Sequence, residues 1–303
     1  MRGFATPYVP GWDCHGLPIE QQVFKEVGDR IHTMSPTEIR GRCHDYASKY
    51  IEIQKKQFKR LGILGEWGAP YCTFDPQFEV GILQCFRQLV AKGLVRKGFK
   101  VVHWDPIFRT AIAEAEVEYH SHQSDSIFVR FPLFKPERFD ALKNLPDVAL
   151  VVWTTTPWTI PVNRALAYNS KIKYSVIKIS DGNENFKNRN IIVASDLIGK
   201  VSKDCNFKDF KVVKEFNGND FKNTICSHPL KNMGYNYDVP MLEGAFVNLE
   251  QGTGIVHSAP SHGPDDFNLC LKHGIKASNT MNDAGLYSNE VPFFSGIHIF
   301  KAD

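Results

Sequence analysis

The chain has 303 residues, 43% of them hydrophobic and 23% charged, enough for one large domain or two ordinary ones with real cores. A net charge of +3, from 36 basic and 33 acidic residues, does not by itself announce a nucleic-acid partner, so any such claim must rest on motifs. No apolar run approaches the about 20 residues of a membrane-spanning helix, and the first residues show neither a secretory nor a transit-peptide pattern.

The opening, Ala5 to Asp13, is extended in character and closed by Pro10 and Gly11, as expected of a strand running into a loop. Ser35-Pro36-Thr37-Glu38 is a capping box with proline at the first helical position. Apolar residues follow at Ile39, Cys43, Ala47, Tyr50, Ile51, Phe58 and Leu61, which predicts a long helix to about Arg60. Asp75-Pro76 starts a second helix that Gly93 stops, and Lys100 to Trp104 reads as a strand. Helices and strands alternate here, which indicates an α/β class.

Near His120 the pattern changes to short strand-like runs: Ser126 to Leu133, Ala149 to Trp153, Tyr174 to Ile179 and Asn190 to Ala194. A domain boundary is therefore expected at about residue 120, dividing the chain into 1–120 and 121–303. Residues 181–237 are rich in Asn and Lys and read as solvated loops between short strands. The seven cysteines are scattered, odd in number and nowhere spaced Cys-x-x-Cys, which argues against a disulfide framework or a structural zinc and for a reducing compartment.

Three blocks carry chemistry. The first is Tyr8-Val9-Pro10-Gly11-Trp12-Asp13-Cys14-His15-Gly16-Leu17-Pro18-Ile19-Glu20. Taken alone, a His and an Asp beside Gly and Pro form an ordinary polar loop. The second is Trp153-Thr154-Thr155-Thr156-Pro157-Trp158-Thr159-Ile160-Pro161-Val162-Asn163-Arg164, directly after an apolar strand. Its threonines suit a strand, Thr154 above all, but Pro157 ends any central strand and leaves the hydroxyls of Thr155 and Thr156 at a terminus, able to line a polar pocket. The third runs from Gly252 to Phe267 and holds His257, His262, Asp265 and Asp266. Two histidines beside paired carboxylates also raise metal ligation, which no further ligand cluster in the sequence supports.

These blocks, together with Arg60 to Trp67, His103-Trp104-Asp105 and Arg109 to Tyr119, resemble the class I aminoacyl-tRNA synthetases of the isoleucine type over nearly the whole chain, weakest between 181 and 237. Valyl and leucyl types are the alternatives within the family. The resemblance implies an incomplete Rossmann-type catalytic core followed by a β-rich α+β editing domain, possessing part of a longer protein. An adenylate site needs a buried carboxylate for the substrate ammonium and tight turns for the nucleotide. By resemblance Asp13 holds the amino group of isoleucine, Gly11, Trp12, His15 and Gly16 shape that pocket, and Pro18 and Glu20 are structural.

The same resemblance implies that the second and third blocks wall a hydrolytic proofreading site. A hydrophobic pocket extracts only about 1–3 kcal/mol from one methylene, a limit whose standing example is the isoleucine-type synthetases themselves, so a second site must clear valine. Asp266 then grips the ammonium of the misattached amino acid, and Thr155, Thr156, Asn163 and His257 surround the ester, with Thr154 in the substrate-binding wall. Either His257 or a ribose hydroxyl of the tRNA orients the water. Asp265 faces solvent or caps a helix beginning near Phe267.

The partners implied are tRNA-Ile, isoleucine and ATP with Mg for the full-length enzyme, acting as a monomer, and editing implies no cofactor. The family's His-x-Gly-His and Lys-Met-Ser-Lys-Ser elements are not found in their expected places; Lys200-Val201-Ser202-Lys203 imitates the latter inside the editing segment and reads as chance surface charge. This chain is therefore expected to be a truncated piece retaining only editing-type chemistry. A stand-alone deacylase and an inactive fragment are the alternatives. The bacterial type of the opening block and the Asn/Lys-rich stretch point to a mitochondrial matrix, with the bacterial cytoplasm as the alternative.

Overall fold

The computed structural model describes residues 3–134, 142 and 145–302. The chain separates into two compact units, 1–98 and 99–303. The change of sequence pattern near His120 falls inside the second of these.

The N-terminal unit is mainly helical. Strand β1 (Gly11–Trp12) is followed by helices α1 (Leu17–Val27) and α2 (Pro36–Arg60), strand β2 (Tyr71–Cys72) and helix α3 (Pro76–Ala91). Of the extended opening only Gly11 and Trp12 pair, in parallel with Tyr71 and Cys72. The Ser35 capping box forms as its spacing predicts: the Ser35 hydroxyl accepts from the Glu38 backbone N–H at 3.3 Å, and Glu38 accepts from the Ser35 N–H at 2.8 Å. The helix then runs to Arg60, as expected. Helix α3 starts after Asp75 and gives way to Gly93, whose φ of 68° suits glycine at a helix end.

The C-terminal unit begins with a hairpin, β3 (His103–Asp105) with β4 (Thr110–Ile112). The expected strand from Lys100 is thus shorter and later. Strands β5 (Ile127–Pro132), β6 (Val148–Thr154), β7 (Ala165–Tyr168), β8 (Lys173–Asp181) and β9 (Asn190–Ala194) follow, then helix α4 (Ile198–Asp204). Strands β10 (Asp209–Asn217), β11 (Ile225–Ser227), β12 (Asp238–Glu243) and β13 (Val256–Ser258) and helix α5 (Pro264–Lys272) complete it. Two sheets result, ordered β10-β8-β9-β6-β5 and β11-β12-β7-β13. The architecture is a mixed α/β one.

Continuous apolar runs explain the core. All of β9 and nearly all of β6 are buried, as unbroken Val, Ile and Leu require when both faces of a strand are covered. Leu150, Val152, Ile191 and Ile192 are fully buried, and each stabilises by about 1.5–3 kcal/mol relative to exposure. Part of the Asn/Lys-rich segment expected to be loop is the nine-residue strand β10, paired along β8 at the sheet edge, where exposed Lys211 and Lys214 discourage further pairing. Within α4, Lys200 and Lys203 are exposed as read from sequence, but Val201 and Ser202 between them are buried.

Candidate active site

The second and third blocks meet in the C-terminal unit. Thr154 ends β6, the chain turns through Pro157 to Val162, and β7 starts at Ala165. Strand β13 pairs antiparallel with β7, setting His257 opposite Leu166 and Ser258 opposite Ala165. The Arg164 N–H donates to the Ser258 carbonyl at 2.9 Å. Behind this pair, Gly254 has φ 74°, and a Cβ there would collide with Ala194. That close approach lets Ala194 N–H reach the Thr253 carbonyl at 2.8 Å and the Tyr174 hydroxyl reach the Gly254 carbonyl at 2.8 Å.

A relay of hydroxyls crosses from one wall to the other. Thr154 Oγ1 lies 3.1 Å from Thr156 Oγ1, which lies 3.3 Å from Thr159 Oγ1, which lies 3.0 Å from His257 Nε2. Thr159 donates its one proton to the Thr156 carbonyl at 2.8 Å, so the His257 Nε2 carries a hydrogen and donates it to Thr159. Burial, with His262 and His228 nearby, drops the His257 pKa to about 4, so the ring is neutral at pH 7. Its Nδ1 is then a buried acceptor with no partner among the described residues.

Asp266 sits in the first turn of α5, where the helix N-terminus favours its charge. Its Oδ2 accepts the Ala259 N–H at 3.2 Å. Burial nonetheless pushes its pKa up to about 6, the Ala259 bond opposing and Asp265 adding to the rise. Gly263 precedes it with extended backbone, and a Cβ there would stand 3.0 Å from Asp266 Oδ2, so glycine leaves that oxygen uncrowded.

The expected residues take different positions. Thr155 and Thr156 are exposed, and the Thr155 hydroxyl makes no hydrogen bond with any described residue. Asn163 is fully buried; its Nδ2 donates to the Ala165 carbonyl at 2.8 Å and, more weakly, to that of Ser258 at 3.5 Å, so it ties the walls together. His257 is only 8% exposed. Asp265 faces solvent, the first of its two expected roles, and is not a cap: the cap is Gly263 and α5 starts three residues before Phe267, which places Asp265 in the first turn. Sequence reading overlooked Thr159, although it lies three residues after Thr156, one turn of the 3-10 helix Pro157–Val162. It also overlooked the T-shaped pair Trp158 and His262, ring centroids 5.2 Å apart, in which His262 Nε2 meets Thr280 Oγ1 at 2.8 Å. Among the described residues no group of three or more His, Cys, Asp or Glu is arranged to hold a metal ion.

In the N-terminal unit a cleft of about 310 Å³ lies between the first block and the two first helices, lined among others by Trp12, Asp13, Ile19, Tyr46, Tyr50 and Gln54. The Trp12 indole donates to Gln54 Oε1 at 2.8 Å. Asp13 is exposed, contrary to the buried carboxylate expected, and its Oδ1 accepts the Thr73 hydroxyl at 3.3 Å. His15 lies outside the cleft, its Nε2 3.3 Å from the Thr73 carbonyl and 3.7 Å from Glu79 Oε1. Gly16, with φ 106°, caps α1, and Gly11 packs on Tyr71, so neither lines the cleft.

A class is defined by these blocks and their arrangement: residues 1–260 match the family described as tRNA synthetases class I (I, L, M and V), and the chain belongs to that family. Within it, the chain is 49% identical to isoleucine–tRNA ligase of Pelagibacter ubique over 306 residues, covering 100% of this chain and 33% of the relative. It is 41% identical to that of Gluconobacter oxydans over 309 residues, covering 100% and 32%. The chain thus spans about a third of the length of these relatives. Among solved structures, the P.falciparum cytosolic leucyl-tRNA synthetase editing domain overlays with a TM-score of 0.39 at 12% identity, over 49% of this chain and 65% of that one.

Proposed function

We propose that the C-terminal unit hydrolyses valyl-tRNA-Ile, and that the whole protein charges tRNA-Ile with isoleucine using ATP and Mg. The observation that carries the hydrolytic reading is the Thr159 to His257 bond across the paired β7 and β13, which joins the threonine turn to the segment leading to Asp266. Ionised Asp266 binds the ammonium of the esterified amino acid. Thr155, with its uncommitted hydroxyl, and Thr156 face the ester and supply hydrogen bonds as its carbonyl oxygen becomes an oxyanion. Water adds to the carbonyl carbon, the ester C–O bond breaks, and the proton passes to the leaving ribose oxygen, releasing valine and uncharged tRNA. His257 and Asn163 act as positioning residues behind the exposed threonines, and Thr154 anchors the turn by accepting the Thr156 N–H at 3.1 Å.

In the N-terminal unit, Asp13 and Trp12 bind isoleucine, with Gly11, His15 and Gly16 shaping the backbone around them. The division into a catalytic part up to residue 120 and an editing part from 121 follows the family blocks. The two relatives above come from bacteria, and the bacterial cytoplasm is accordingly preferred to the mitochondrial matrix. The purified chain is tested against valyl-tRNA-Ile and isoleucyl-tRNA-Ile. Release of valine with the isoleucyl ester spared supports the reading, and no valine release refutes it. ATP/pyrophosphate exchange checks for synthesis separately.

A further inference from the structure

The segments that flank the candidate site also wall a second cleft, of about 330 Å³. It lies between Val162, the last residue of the threonine turn, and Pro260, which stands between His257 and Asp266; none of Thr156, His257 or Asp266 lines it. Two cations line it, Arg164 and Lys276, with one carboxylate, Glu290. Both cations are exposed, and neither pairs with a carboxylate among the described residues.

Arg164 is oriented rather than loose. Its guanidinium carbon lies 4.5 Å from the centre of the Tyr237 ring, and that ring is itself held by its hydroxyl, which donates to the Asn163 carbonyl at 2.7 Å. A guanidinium held against an aromatic face by cation–π attraction keeps its N–H donors available to a phosphate, which a guanidinium can meet with two parallel bonds. Lys276 adds a point charge to the same cleft. Glu290 works against a bare multivalent anion but accepts a hydrogen bond from a hydroxyl or an amine. The combination suits a ligand that carries phosphate and donors together, which is a nucleotide unit.

We infer that this cleft binds a phosphodiester of the single-stranded RNA end whose terminal ester is hydrolysed at the neighbouring site, with Arg164 and Lys276 as its phosphate contacts and Glu290 turned to a ribose hydroxyl or base amine. The inference rests on the editing reading above. It adds a backbone anchor one step along the chain from the ester, so a substrate lacking phosphodiesters does not use it.

The test compares the 303-residue chain with Arg164→Ala, Lys276→Ala and Arg164→Lys on two esters, valyl-tRNA-Ile and valyl-adenosine, which has no phosphodiester. The alanine variants are expected to raise KM for the tRNA ester about tenfold each, in line with loss of a charge-assisted hydrogen bond, and to leave valyl-adenosine hydrolysis unchanged. Arg164→Lys, which keeps the charge and loses the fork, falls between. In the double alanine variant the dependence of log affinity on log salt flattens by about 0.7, the value for one phosphate of a single strand. Unchanged KM and salt slope overturn the proposal, as does equal slowing on both esters, which marks a structural role. Should the parent chain hydrolyse neither ester, the editing reading fails by itself. The cleft is then judged by fluorescence anisotropy with a single-stranded RNA tetranucleotide: about tenfold weaker binding by the alanine variants upholds it, while equal binding, or displacement by inorganic phosphate at the same concentration as RNA, overturns it.

Discussion

The two units differ in how they support their clefts. In the N-terminal unit the buried apolar cluster is Cys14, Ala47, Ile51 and Cys72, and helix α3 contributes no buried residue, leaving Val80, Ile82, Leu83, Phe86, Leu89 and Val90 at 45–64% exposure. In the C-terminal unit a continuous core links Leu150, Ile192, Leu166 and Met241 across both sheets. Thr155 and Thr156 follow the end of buried β6, His257 sits on β13 and Asp266 in the first turn of α5, whereas Trp12 ends a two-residue strand and Asp13 follows it, beside half-exposed helices. Close-packed neighbours restrict rotamers and low polarity shifts ionisation, and among the described residues the strongly perturbed groups, such as His257 and Asp266, lie in the second unit.

Five measurements test this contrast between the units. The largest effect is expected from Asp266→Ala: loss of one partner of a desolvated ion pair costs about 2–5 kcal/mol, so kcat/KM for valyl-tRNA-Ile falls roughly 30-fold or more. Normal clearance by this variant removes the C-terminal unit from the chemistry. Next, Leu166→Ala, at a fully buried site, lowers unfolding stability by about 2–5 kcal/mol, whereas Leu83→Ala on α3 stays within about 0.5 kcal/mol. Urea midpoints followed by tryptophan fluorescence measure both, and equal losses contradict the contrast between the cores.

Proton linkage comes third. Because burial raises the Asp266 pKa to about 6, kcat/KM for deacylation drops roughly tenfold per pH unit below 6, as the carboxylate needed for the ammonium is protonated. For stability the two shifts oppose. Asp266, raised from 3.8, contributes stability at low pH that is lost as pH climbs to about 6; His257, lowered from 6.5 to about 4, contributes above 6.5 and loses its share as pH falls toward 4. A pH-rate profile flat from 5 to 8 contradicts the role given to Asp266. Thr159→Val removes the acceptor for His257 Nε2 and is expected to slow deacylation by about 1 kcal/mol, roughly fivefold, with the isolated fold retained. The smallest change is Ser35→Ala, which loses the α2 cap and about 1 kcal/mol, read as reduced helicity by circular dichroism on heating.

Local chemistry was enough to read much of this protein from its residues. The Ser35 box and its apolar spacing define α2, the run Asn190 to Ala194 is the buried strand β9 residue for residue, and the opening, threonine and Gly252 blocks carry the family. These signals are legible because caps, periodicity and turn chemistry act within a few positions along the chain. Tertiary structure alone decided that Thr159, across 98 positions, meets His257, that Asn163 and His257 lie behind the exposed threonines, and that Asp13 is exposed. It also decided that an Asn/Lys-rich stretch supplies an edge strand to β8. Each of those outcomes depends on which distant segments pair and what they bury, and strand pairing between β7 and β13 leaves no periodic trace in either segment by itself.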